Sequence, residues 1–255
     1  MLLAIDVGNT NIILGILDGE KIRATWRIAT SIHRLADEYA ALLFDLVEHA
    51  HIEASKITEA ILCSVVPPLT TTFEELCQRY FAVSPLIVES GIRTGMRIDI
   101  DNPREVGGDR VVNAVAAHHL YGGPIIVIDL GTATTFDAVS EEGEYLGGAI
   151  APGMGIAAEA LFMRTAMLPR VELVRPKRAI GKNTITAMQS GIIFGYIGLI
   201  EGIVARMQHE LGGKAKVVAT GGFAQAIARE APIIEEVNPN LTLVGLRLIY
   251  DMNRT

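Results

Sequence analysis

The chain has 255 residues, half of them apolar and a fifth charged, with a formal net charge of −7. That is enough apolar material for one large domain or two of ordinary size, and the acidic balance, with no basic stripe or aromatic platform, argues against a nucleic-acid partner. The two cysteines, Cys63 and Cys77, lack metal-ligand spacing and read as buried, reduced thiols of a cytoplasmic protein, and no signal peptide is expected ahead of the first strand.

The chain opens on an apolar run, Leu2 to Ile5, that ends in Asp6 and Val7. Gly8, Asn9, Thr10 and Asn11 follow, and the apolar run resumes at Ile12 and Ile13. The pattern predicts a β-hairpin with chemistry at its tip. Gly8 permits a tight turn and close approach of a ligand. The N–H groups and polar side chains of the turn suit phosphate oxygens. Asp6, at the C-terminal end of a buried strand, is placed to hold a hydrated Mg²⁺ beside them. An Asn-rich turn closing an ordinary hairpin has the same local signature. Beyond it, 21–28 reads as a strand and 35–48 as a helix. Ala60 to Val66 reads as a buried strand stopped by Pro67 and Pro68. A helix is expected from Thr70 to Tyr80, capped by Thr70 or Thr71. Leu86 to Val88 is a short strand, 91–110 is polar and glycine-rich, and a helix runs from Val111 to Leu120.

The opening pattern then recurs. Ile125 to Phe136 repeats it, with Asp6 aligned to Asp129, Gly8 to Gly131 and Asn9 to Thr132. Such self-similarity indicates a duplication, with domains 1–121 and 122–255. Two phosphate loops facing each other across a cleft suit a nucleoside triphosphate. Further strands are expected at 144–150, 171–174 and 216–219. Helices are expected at 153–167, at 184–211, after Ala224 and at 241–252. This order predicts an α/β fold of mixed sheets flanked by helices. In and just after the uncharged run Ala187 to Ile200, Gly191, Gly195, Gly198 and Gly202 stand at small-xxx-small spacing. A membrane span needs about 20 apolar residues. The run is interrupted by Gln189 and Ser190 and followed by Glu201, so a buried helix packed on a helix of the same chain or a second subunit is expected instead.

Two further stretches carry chemistry. Gly107-Gly108-Asp109-Arg110 stands directly before a helix. An Asp N-cap is common there, but beside two phosphate loops the carboxylate suits a base that takes a proton from an acceptor hydroxyl. Arg110 suits a carboxylate or phosphate. Val218 to Thr220 runs into Gly221 and Gly222, where a flat adenine ring can slide along the backbone; a plain strand-to-helix turn looks the same.

Together these segments resemble the phosphate and adenosine motifs of the actin-like ATPase superfamily, whose folds are ribonuclease-H-like. Asn102 to Arg110, taken with Gly181 to Gly191, resembles type III pantothenate kinase, and the resemblance spans nearly the whole chain. It implies ATP-dependent phosphorylation of pantothenate, the first step of coenzyme A synthesis. It implies an ATP phosphate site at Asp6, Val7, Gly8, Asn9, Thr10, Asn11, Ile12 and Ile13, with Asp6 near Mg²⁺ and Thr132 on a phosphate. Asp109 becomes the base, and Gly107, Gly108, Asp109 and Arg110 line the pantothenate pocket with Thr184. Asp129 helps bind K⁺ or NH₄⁺. The family is dimeric, with the substrate pocket at the subunit interface. Ile100 stands where the family commonly has a tyrosine, so a phenol hydrogen bond is missing there or comes from another group. Two other readings stay open: a kinase of the same superfamily for another small hydroxyl acceptor, and a non-catalytic nucleotide-binding regulator.

Overall fold

The computed structural model describes residues 1–254. In chain order the strands are β1 (Leu2–Val7), β2 (Asn11–Asp18), β3 (Lys21–Ala29), β4 (Glu59–Ser64), β5 (Leu86–Ile87), β6 (Arg97–Ile98), β7 (Ile125–Leu130), β8 (Ala133–Val139), β9 (Glu144–Pro152), β10 (Lys216–Thr220) and β11 (Glu236–Val237). The helices are α1 (Ala36–His49), α2 (Pro67–Phe81), α3 (Gly108–Tyr121), α4 (Met154–Arg164), α5 (Thr184–Glu210), α6 (Ala224–Ala228) and α7 (Leu241–Asn253). Contacts divide the chain into two units. One comprises Met1–Arg97, Asp101–Ala116 and Asn240–Thr255; the other comprises Ile98–Ile100 and Ala117–Pro239.

The first unit is built on a sheet ordered β3-β2-β1-β4-β5. β1 pairs antiparallel with β2 and parallel with β4. Side chains alternate between the two faces of a strand. Leu3, Ile5 and Val7 therefore join Leu62 and the apolar stripes of α1 and α2, including Tyr39, Leu43, Phe73 and Leu76, in one core. The opposite face takes α7. A Cβ on Gly15 would stand 2.8 Å from the Leu243 side chain, and one on Gly245 would stand 2.1 Å from the Val112 carbonyl oxygen. Gly245 is thus required by the close seating of α7 on α3, where the clash is with backbone, while Gly15 faces the flexible tip of Leu243. The Thr242 hydroxyl donates to Asn113 Oδ1 at 2.8 Å within that buried contact. A cut at residue 121 assigns α7 to the second half, whereas its packing groups it with the first.

The second unit repeats the plan. Its sheet is ordered β11-β10-β7-β8-β9-β6, so that β9-β8-β7-β10-β11 follows the same order as β3-β2-β1-β4-β5. The directions match as well: β7 is antiparallel to β8 and parallel to β10. Ile126, Ile128 and Phe136 face a core completed by Met154 of α4 and by Ile192, Tyr196, Ile200 and Val204 of α5.

Three local expectations change. The second helix starts at Pro67, with Val66 before it, because proline at the first helical positions sacrifices no hydrogen bond and has a pre-set φ. No strand forms at 171–174; this segment lies between Pro169 and Pro176, and the Glu172 carbonyl accepts from the Gln189 side chain at 3.0 Å. The short β6 extends the second sheet from within the polar stretch. α5 is long and apolar enough to cross a membrane by length and composition, but one side of it packs into the core just described. Among the described residues, no part of the same chain packs on its glycine side: a Cβ on Gly191, Gly195 or Gly198 would meet nothing within 4 Å.

Candidate active site

Asp6 interrupts a strand that is otherwise buried, and Asp129 does the same at the matching position of β7. A carboxylate at that position faces away from the α1/α2 core, because Ile5 and Val7 on either side point into it. The first turn is closed by the Gly8 N–H donating to the Asn11 carbonyl at 3.0 Å. Thr30 of the following segment clamps it: the Thr30 hydroxyl donates to the Gly8 carbonyl at 2.6 Å, and its N–H donates to the Thr10 carbonyl at 3.0 Å. Asn9, Thr10 and Asn11 are left exposed at the tip. Thr30 has no motif around it in the sequence; only pairing of β2 with β3 brings it to the turn.

The parallel register places Cys63 of β4 directly beside Asp6. Cys63 is fully buried, on the same face of the sheet as the Asp6 side chain. Burial, reinforced by the Asp6 and Asp109 charges, pushes the Cys63 thiol well above its ordinary range, so it is a neutral donor. Over it lies the Gly107–Gly108 loop. A Cβ on Gly108 would stand 3.2 Å from Cys63 Sγ and 3.4 Å from Val88 Cγ1. A Cβ on Gly107 would stand 2.5 Å from Asp109 Oδ1. The Gly-Gly pair therefore makes room for Cys63 below and for the Asp109 carboxylate beside it.

Asp109 lies in the first turn of α3 and accepts a hydrogen bond from the Arg110 N–H at 2.9 Å. Burial raises its pKa, and the Arg110 N–H and guanidinium oppose the rise. A carboxylate that is mostly desolvated, yet held by a helix N-terminus, is a stronger proton acceptor than an ordinary surface aspartate. Asp6, Gly8, Gly107, Gly108, Asp109 and Arg110 all belong to the first unit.

In the second unit the turn of Gly131 and Thr132 is one residue shorter than its counterpart and is closed by the Gly131 N–H donating to the Ala133 carbonyl at 3.1 Å. The Thr132 carbonyl accepts from the Gly153 N–H at 3.0 Å at the start of α4. Asp129 pairs with Thr220 as Asp6 pairs with Cys63. Gly221, at φ +95°, lies against this carboxylate, and a Cβ there would stand 2.5 Å from Asp129 Oδ1. Gly222 is exposed at the turn into α6. Ile100 stands beside Gly147, with its Cγ2 3.5 Å from where a Cβ would be. Thr184 begins α5 behind the Asn183 cap and lines a cavity of about 810 Å³ with Lys182, Leu161 and Tyr196.

Oxygen ligands and a single carboxylate fit a Mg²⁺ that keeps several waters and shares phosphate oxygens. Among the described residues no cluster of three or more His, Cys, Asp or Glu side chains forms a protein-only metal cage. The Asp129 carboxylate, seated where Gly221 leaves space for it, offers hard oxygen to a monovalent cation.

Comparison with solved structures finds this fold among kinases. An inorganic polyphosphate/ATP-glucomannokinase from Arthrobacter sp. strain KM aligns with a TM-score of 0.54 at 14% identity, covering 99% of each chain. A conserved Baf family protein from Campylobacter jejuni aligns with a TM-score of 0.62 at 19% identity, covering 98% of each chain. At that identity the likeness concerns the fold, which is that of the actin-like ATPases and sugar kinases. In sequence, the type III pantothenate kinase of Moorella thermoacetica is 56% identical over 253 residues, covering 99% of this chain and 100% of its own. That of Dehalococcoides mccartyi strain CBDB1 is 55% identical over 253 residues, covering 99% and 96%. The family model for type III pantothenate kinase matches residues 2–206, and the chain belongs to that family.

Proposed function

We propose that this chain transfers the γ-phosphoryl group of ATP to the primary hydroxyl of pantothenate, the first step of coenzyme A synthesis, with Asp109 as general base. Family membership over the full chain supports the donor and the acceptor. The observation that supports the base is local. Asp109 stands on a Gly-Gly loop whose floor is Cys63, and Cys63 is paired in strand register with the phosphate-loop carboxylate Asp6.

The residues divide by task. Asp6 to Ile13 and Thr132 hold ATP phosphates, and Gly221 and Gly222 receive the adenosine. Gly107, Gly108, Arg110, Ile100 and Thr184 bound the acceptor. The acceptor oxygen attacks the γ-phosphorus as its proton passes to an Asp109 carboxylate oxygen, and the bond to the bridging oxygen of ADP breaks. Such a transfer depends mainly on positioning and on offsetting charge. Asp6 is the residue for Mg²⁺ and Asp129 the residue for K⁺ or NH₄⁺; when bound, these cations offset charge on the phosphates.

The working form is a cytoplasmic homodimer on this reading. The open glycine side of α5 and the exposed Met167 and Ile180 supply an apolar surface suited to a second copy. The test of the reaction is ADP release by the purified chain with ATP, Mg²⁺ and K⁺, offered pantothenate or a panel of sugars. Release on pantothenate alone is expected. Release only on a sugar moves the assignment to another acceptor.

A further inference from the structure

Cys63 occupies a place the catalytic roles above leave unused. Three independent observations single it out. The parallel pairing of β1 with β4 sets it in register with Asp6, on the face opposite the α1/α2 core. Its side chain has no exposure of its own, so its thiol proton has no water to donate to. Its sulfur underlies Gly108, where even a methyl group would stand only 3.2 Å away. The second sheet has the same arrangement in another chemistry: Thr220, also buried, stands beside Asp129 at the matching strand position.

We propose that Cys63 is a positioning residue of the kinase reaction, a buried hydrogen-bond donor that orients the Asp6 carboxylate toward the metal–phosphate site and at the same time sets the height of the Gly107–Gly108 loop. One side chain thereby couples the donor-binding loop to the acceptor-binding loop within one sheet. The role needs a small donor of about the size of a thiol. Serine satisfies it; alanine removes the donor; valine removes the donor and fills the space under Gly108. Partners that orient a metal-binding carboxylate typically change affinity or activity about 10- to 100-fold when lost.

This inference rests on Asp6 serving the metal–phosphate site, so the test includes Asp6→Asn. Binding of Mn²⁺ in the presence of ADP is measured by electron paramagnetic resonance for wild type, Asp6→Asn, Cys63→Ser, Cys63→Ala and Cys63→Val, with thermal midpoints of the metal-free proteins alongside. Cys63→Ala is expected to weaken Mn²⁺·ADP binding about tenfold, and Cys63→Ser to restore it to within about threefold of wild type. Cys63→Val is expected to raise the KM for pantothenate more than Cys63→Ala does, because it pushes on Gly108. If Cys63→Ala lowers only the thermal midpoint and leaves Mn²⁺·ADP binding as in wild type while Asp6→Asn weakens it, the cysteine is packing and the inference is overturned. If Asp6→Asn also leaves binding unchanged, the fault lies in the role given to Asp6.

Discussion

Asp6 and Asp129 occupy one position in two sheets of the same strand order: each is the single partly exposed residue near the end of a buried strand, and each is flanked in parallel register by a small buried side chain with a hydrogen-bond donor, Cys63 or Thr220. The duplication has kept the frame and changed the neighbours. Cys63, beside Asp6, lies under the Gly107–Gly108 loop, whereas Asp129 lies against the Gly221 turn.

That seating makes Gly221 a handle on Asp129. Gly221→Ala introduces a methyl group 2.5 Å from Asp129 Oδ1 at a left-handed backbone position. The expected outcome is a higher K⁺ concentration for half-maximal rate and a weaker ATP affinity, both of which Asp129→Asn should share. Titration of the rate with K⁺ at fixed ATP checks it. An unchanged K⁺ requirement in both variants removes Asp129 from the cation site.

Gly245 tests the packing of the closing helix. Gly245→Ala places a Cβ 2.1 Å from the Val112 carbonyl oxygen, a backbone atom that cannot move without shifting α3. Overpacking of this kind costs about 1–3 kcal/mol, which lowers the thermal midpoint by about 2–10 °C in a protein of this size. Because α3 carries Asp109, kcat should fall in the same variant.

The outer side of α5 tests assembly. Gly195 has open space where its Cβ would be, so Gly195→Leu should leave the fold intact by circular dichroism. Sedimentation velocity is expected to show the wild type as a dimer and the variant shifted toward monomer. A wild type that sediments as a monomer at micromolar concentration contradicts the dimer.

The raised pKa of Asp109 sets a pH dependence with a definite sign. Its folded value lies above the ordinary 3.8 because of burial. The folded state therefore holds the proton more tightly than the unfolded state, and the associated stability is full below 3.8 and lost as pH rises through the folded value. Activity runs the other way, since a base must be deprotonated. The acid limb of kcat/KM should therefore lie above 3.8, and Asp109→Asn should gain thermal stability relative to wild type as pH rises through the same window. A variant that tracks wild-type stability across that window contradicts the burial argument.

Much of this frame is legible in the chain itself. A carboxylate that ends an apolar run, followed by glycine and small polar residues, reveals both hairpins because period and turn chemistry are local properties. Asp109 is visible for the same reason, as a charge on a glycine pair before a helix. Cys63 and Thr30 are not visible, because each gains its role through strand pairing between segments far apart in sequence. The expected strand at 171–174 has the right residue types but lies between two prolines and has no partner strand to pair with. The glycine pair at 107 and 108 reads as an opening for a ligand, and in the fold it also makes the space that Cys63 and Asp109 occupy.

The central claim is tested most directly by ADP release from ATP, Mg²⁺ and pantothenate in K⁺, comparing wild type with Asp109→Asn, with ATP binding measured on both by calorimetry. Loss of a general base predicts a fall in kcat of at least about 10²-fold with ATP binding intact. A variant that keeps kcat within about threefold of wild type shows that the acceptor hydroxyl loses its proton elsewhere, and Asp109 is then not the base.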